Sequence, residues 1–175
     1  MREHWTRILA TAVITGVALL AADSSVSWGQ HGHPGGHQAA QACADEFDKV
    51  VGDGRGFGMA FAADQNGYPG PMHVLELKDR LKLTADQEAR TQALMHAMFA
   101  ESKPKSARLL DAEAKLRRLF TDRAADDAAV RAAAAEVERA RGEVRLVHLL
   151  AHLKTRDLLT EDQRRLYHEA RWGAR

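Results

Sequence analysis

What the chain lacks narrows its chemistry first. Cys43 is the single cysteine in 175 residues, which excludes an internal disulfide framework and a cysteine zinc cluster. In an oxidising compartment two readings of that thiol stay open: a cross-link between two copies, or a quiet, half-buried side chain. Proline is scarce, 4 residues in all, and beyond Pro71 only Pro104 could disturb a helix. An excess of one charge is missing too. The 25 Lys and Arg against 24 Asp and Glu leave a formal net charge of +1, evenly mixed along the chain, so no nucleic-acid partner is expected. There is no Gly-x-Ser-x-Gly elbow, no His-Glu-x-x-His, and no Walker lysine after the Gly52 to Gly58 run, which reads as a loop. These absences point to a binding protein and not to an enzyme.

Long apolar runs are also missing, apart from one at the start. Ile8 to Ala22 is apolar except for Thr11, Thr15 and Gly16, and it is shorter than the about 20 residues a bilayer-spanning helix needs. With Arg2 and Arg7 before it and Ser27-Trp28-Gly29 after it, the segment reads as a secretory signal peptide over residues 1–29, exporting the chain to the periplasm. No lipobox cysteine follows. Residues 30–71 read as a flexible segment rich in histidine and glycine. It begins with the tail His31-Gly32-His33-Pro34-Gly35-Gly36-His37, carries a possible helix over Gln38 to Val51, and ends in a loop from Gly52 to Pro71.

From Met72 to Trp172 the composition turns to alanine, leucine, arginine and glutamate, which favours helix throughout. The pattern predicts a short helix from Met72 to Leu81, a long one from Ala85 to about Phe120, another from Asp126 to about Arg156, and a last short one from Glu161 to Arg171. Pro104 removes the hydrogen bond to the Ala100 carbonyl, so a kink or break is expected there. Leu94, Met95, Met98, Phe99, Leu109, Leu110, Leu116, Leu119 and Phe120 recur at three- and four-residue steps. Val130, Val137, Val144 and Ala151 recur at seven, flanked by Ala133, Ala140 and Val147. The fold class is therefore all-α: a long antiparallel helical hairpin with short flanking helices. Its narrow apolar stripes bury little alone, which suggests a homodimer.

Two segments repeat a start signal, Leu83-Thr84-Ala85-Asp86-Gln87 and Leu159-Thr160-Glu161-Asp162-Gln163. In each, the threonine can cap a helix while the glutamine reaches back to the cap, and the leucine before them can staple onto the first turns. This doubled Leu-Thr-x-x-Gln motif, on a helical chain with a leader, resembles the Spy/CpxP superfamily of periplasmic proteins over about Met72 to Trp172. That resemblance implies a hairpin that dimerises into a curved cradle. It also implies one of two roles: an ATP-independent refolding chaperone, or a heavy-metal resistance or sensor protein of the CnrX and ZraP type.

Histidines separate the two roles only partly. His148 and His152 are four apart and share one helix face at a spacing suited to a single metal ion. The plain alternative is a pair of amphipathic residues at the border of a packed helix. Two ligands do not complete a site, and His73 and Glu76 on the short helix from Met72 are the candidates for the rest. In the metal-sensing branch, the resemblance places ligands on a histidine pair before the first motif and on His-x-x-x-Met before the second. Here His148 matches the latter histidine, His152 stands where the methionine would be, and Leu77 stands where a second early histidine would be. His31, His33 and His37 are auxiliary candidates that gather metal transiently. Met95, His96 and Met98 suggest a copper(I) site, yet both methionines continue the core stripe and are assigned to it.

The first reading is thus a metal-binding protein with a divalent transition metal (zinc, nickel, cobalt or copper). The second is a chaperone that holds unfolded periplasmic proteins on basic and apolar side chains, with Arg108, Lys115, Arg117 and Arg118 as contributors. An inner-membrane signalling protein is a further candidate partner.

Overall fold

Alanine-rich stretches opened by threonine and aspartate caps become the two helices that dominate the molecule. The computed structural model describes residues 36–173; the expected signal peptide, His31 and His33 lie outside them. Seven helices are present among the described residues: α1 (Gly36–Gly52), α2 (Phe61–Asp64), α3 (Pro71–Glu76), α4 (Lys78–Leu81), α5 (Ala85–Thr121), α6 (Asp127–Leu158) and α7 (Glu161–Trp172). None of these helices is long and apolar enough to cross a membrane.

The hairpin of α5 and α6 forms as the periodicity predicts, and the architecture is all-α with short flanking helices. Thr84 accepts from the Gln87 backbone and opens α5, whereas Asp126 accepts from the Ala129 N–H at 2.7 Å and opens α6. Antiparallel register is set by pairs across the seam: Ser102 with His148, Glu113 with Arg141, and Lys115 with Glu136. Along α6 the buried positions Val137, Ala140, Val144, Val147 and Ala151 reproduce the predicted stripe. On α5 the buried face is narrower, with Met98, Ser102, Ser106, Leu109 and Ala112, and its small side chains let the two backbones approach. Of the predicted α5 stripe, Phe120 is instead 60% exposed; it lies in the last turn of α5, beside the connection to α6.

Three expectations are corrected. Of the kink or break expected at Pro104, the break does not occur, since helix α5 is continuous through it; a proline deletes one ladder bond, and packing against α6 holds the rest of the ladder together. The helix expected from Met72 to Leu81 divides at Leu77, whose backbone is out of helical conformation with ψ 13°. The loop from Gly52 to Pro71 contains one turn of helix, α2. Aromatic packing of Phe61 edge-to-face on Trp172, centroids 5.3 Å apart, holds α2 against the end of α7. Helix α1 also starts two residues before the expected Gln38, at Gly36, so His37 lies in its first turn.

Both capping boxes form, and each does more than cap. Gln87 Nε2 donates to the Leu158 carbonyl at 2.9 Å and to Gln163 Oε1 at 2.8 Å. Gln163 Nε2 returns the pattern, to the Leu81 carbonyl at 3.2 Å and to Gln87 Oε1 at 3.0 Å. Each side-chain oxygen also accepts from the backbone N–H of its own threonine, so both amides use two donors and two acceptor positions, their full capacity. The two motifs thus clasp the α4–α5 turn to the α6–α7 turn, above a cluster of Val74, Leu81, Leu159 and Tyr167.

Candidate metal site

The buried face of α6 widens towards its C-terminal end. Val147 and Ala151 face α5, and their chain neighbours His148 and His152 turn to the loop between α1 and α3; they are 5% and 8% exposed. That loop can cover imidazole rings because it has glycine where it crosses them. A Cβ built on Gly56 would lie 3.0 Å from His148 Cγ, and one on Gly70 would lie 2.9 Å from His152 Nε2. Side chains at either position would push the rings aside, so each glycine leaves the cradle that its imidazole occupies.

Hydrogen bonds fix both rings. His152 Nδ1–H donates to the Tyr68 carbonyl at 2.6 Å, which leaves Nε2 as the lone-pair nitrogen of the neutral ring. This is the arrangement by which backbone carbonyls orient metal-binding histidines. His148 Nε2 lies 3.2 Å from Ser102 Oγ, and the Gly54 backbone also holds this ring. Both rings border one cavity of about 330 Å³, whose wall also includes His73, Asp64, Met72 and Met98.

The sequence-predicted set comes together in part. His73 reaches the cavity wall, but its Nδ1–H donates to Glu76 at 3.0 Å, and Glu76 itself is exposed and outside the lining. Among the described residues, no group of three or more His, Cys, Asp or Glu is placed to hold one ion. Cys43 is exposed on α1.

A family comparison covers this same region. The model of the heavy-metal resistance family matches residues 56–165, well over half of the chain. The chain belongs to the heavy-metal resistance family. That family lies within the Spy/CpxP-like helical superfamily, as the doubled motif implied. No curated protein and no solved structure matches.

In this heavy-metal resistance protein the electrostatics around the histidines follow from burial. Desolvation, helped by His152 alongside, holds the His148 imidazole below its ordinary value against the Gly54 backbone bond. Desolvation also lowers His152; the Tyr68 carbonyl and Asp64 oppose the shift, and His73 and Arg171 reinforce it. Both rings are therefore neutral near pH 7, the form that ligates metals. Asp64 is engaged elsewhere. It accepts a short hydrogen bond from the Tyr167 hydroxyl and an ion pair from Arg171 at 3.3 Å. Burial first, and then that bond to Asp64, push the Tyr167 phenol far up and keep it protonated.

Several residues of this heavy-metal resistance protein's site carried no sequence signal. Ser102, Tyr68 and Asp64 lie far from α6 in the chain, and neither their types nor their spacing marks them. Gly56 and Gly70 had a signal, the unusual density of glycine between residues 52 and 70, but its meaning needs the two rings beneath them.

Proposed function

We propose that the chain is a periplasmic heavy-metal-binding resistance or sensor protein that holds a transition-metal cation, of the zinc, nickel, cobalt or copper kind, at His148 and His152. The observation that carries this reading is the His152 ring, neutral through burial and locked at Nδ1 by the Tyr68 carbonyl, beside a second neutral imidazole on the same cavity. Membership of the heavy-metal resistance family supports it. His73 is a third nitrogen ligand once it releases Glu76; the auxiliary histidines 31, 33 and 37 act only as a collecting tail. The Ser102 hydroxyl is the present partner of His148 Nε2, and a metal ion would replace it at modest expense, since a neutral hydrogen bond contributes about 1 kcal/mol net.

The chaperone reading draws less support. Of its four basic candidates, Arg108 pairs with Glu143 at 3.2 Å, Lys115 with Glu136 at 3.0 Å and Arg117 with Asp48 at 3.9 Å. Those side chains tie helices together and do not form a free basic cradle.

Metal titration of the purified protein, followed by calorimetry, tests the proposal. Wild type should take up one ion per chain at this site, and the His148→Ala plus His152→Ala double variant should lose at least about 100-fold in affinity, the scale of losing two of the usual four ligands. Unchanged affinity in the double variant, or loss only when residues 31–37 are deleted, overturns it.

A further inference from the structure

The cavity's donors are the wrong kind for a doubly charged ion held by carboxylates and the right kind for a soft, singly charged one. Register supplies the third donor. Ser102 of α5 faces His148 of α6; because the helices are antiparallel, the residue one turn earlier on α5, Met98, stands opposite the residue one turn later on α6, His152. Met98 is 7% exposed and packs with Val147 and Ala151, the two α6 residues that immediately precede the histidines. It borders the same cavity as both rings, as does Met72.

The anionic alternatives are removed one by one. Among the described residues, Asp64 is the only carboxylate on the cavity wall, and Tyr167 and Arg171 already occupy it. Glu76 is bound to His73 and lies outside the wall. The one thiol, Cys43, is exposed on α1 and not on the wall. Two guanidinium groups, Arg55 and Arg171, do border the space. Their repulsion on a +2 ion is twice that on a +1 ion at any given distance, with no free anion in the lining to offset it. Imidazole nitrogen serves zinc, nickel and copper alike, whereas thioether sulfur selects soft ions, copper(I) foremost, so the methionines on the wall decide the class.

We propose that this site takes a soft monovalent cation, copper(I) or silver(I), between His148, His152 and the Met98 thioether, with Met72 as a neighbouring sulfur donor. The proposal rests on the metal-binding reading above and narrows its ligand class.

The full chain, with methionines labelled at the ε-methyl carbon, is titrated with silver(I) and separately with zinc(II). Affinities are measured by competition, against bicinchoninate for copper(I) and against a zinc chelator for zinc. The expected result is a silver-dependent shift of the Met98 methyl resonance and a copper(I) affinity that falls at least tenfold in Met98→Leu, a change that conserves volume and leaves the fold intact by circular dichroism. Zinc affinity should not change in that variant. If zinc binds through the histidines while silver(I) leaves the Met98 methyl unmoved, or copper(I) affinity is unchanged in Met98→Leu, the soft-cation inference is overturned and the metal-binding reading stands. If neither metal binds wild type, or both bind the double histidine variant as well as wild type, the reading itself fails and the inference with it.

Discussion

At the scale of the residue, the two histidines make the fold sensitive to acid. In the unfolded chain each ring protonates near pH 6.5, whereas burial delays protonation in the fold to lower pH. Between those two values the unfolded chain binds more protons, so the metal-free protein loses stability as pH falls below about 6.5. The loss reaches about 1.4 kcal/mol per pH unit for each ring. Above about pH 7 both rings are neutral in either state and contribute no slope. Urea unfolding at pH 7.5 and pH 5.5 should show this drop, and the His148→Gln plus His152→Gln variant should show a shallower one. Equal slopes in the two proteins would place the acid sensitivity in other groups. The pair itself was legible in the sequence, since an i, i+4 spacing is local. Its environment was not: Ser102 is 46 positions from His148, and Tyr68 is 84 from His152. No local pattern reports which distant backbone will close over a ring.

At the scale of the element, the glutamine clasp shows a motif whose local meaning was readable and whose tertiary meaning was not. Capping boxes are written in four consecutive residues, so the starts of α5 and α7 fell where the threonines placed them. That the two glutamines would meet depends on both long helices returning to the same end of the hairpin. Removing one glutamine leaves a distant carbonyl and the partner amide short of hydrogen bonds, a loss of about 1–3 kcal/mol. Gln87→Ala and Gln163→Ala should therefore be far from additive, with a coupling energy of about 1–2 kcal/mol in a double-mutant cycle from denaturant melts. Additive losses would mean that the motifs cap independently. Helix α2 and the division at Leu77 escaped the sequence for a related reason. Single turns of helix are not stable alone; here Phe61 against Trp172 and Asp64 against Tyr167 hold α2, and Leu77 packs against the Val74, Leu81, Leu159 and Tyr167 cluster.

At the scale of the whole molecule, one face of α6 is left uncovered by the described residues. Leu146, Leu150 and Leu153 are 54%, 43% and 42% exposed, and their spacing places them on one stripe that faces away from α5. Gly142 continues the stripe one turn earlier. A Cβ there would meet nothing within 4 Å, although glycine in a helix interior lowers stability by about 0.5–1 kcal/mol relative to alanine. Among the described residues nothing needs that glycine, whereas a second helix crossing close to α6 would. A two-fold pairing of α6 with α6 of another copy would place Leu146 near the other copy's Leu153 and bury the exposed half of each of the three leucines, contributing up to about 1–1.5 kcal/mol apiece. We propose this face as the seam of the homodimer that the narrow stripes suggest. Leu150→Glu should convert the protein to a monomer in light scattering at micromolar concentration without unfolding it, because the residue is already half exposed. Gly142→Ala separates the alternatives further. If the chain is a monomer, the added methyl group meets open space and raises the melting temperature through helix propensity alone. If the face is paired closely, the same methyl group weakens assembly and the melting temperature becomes more dependent on protein concentration.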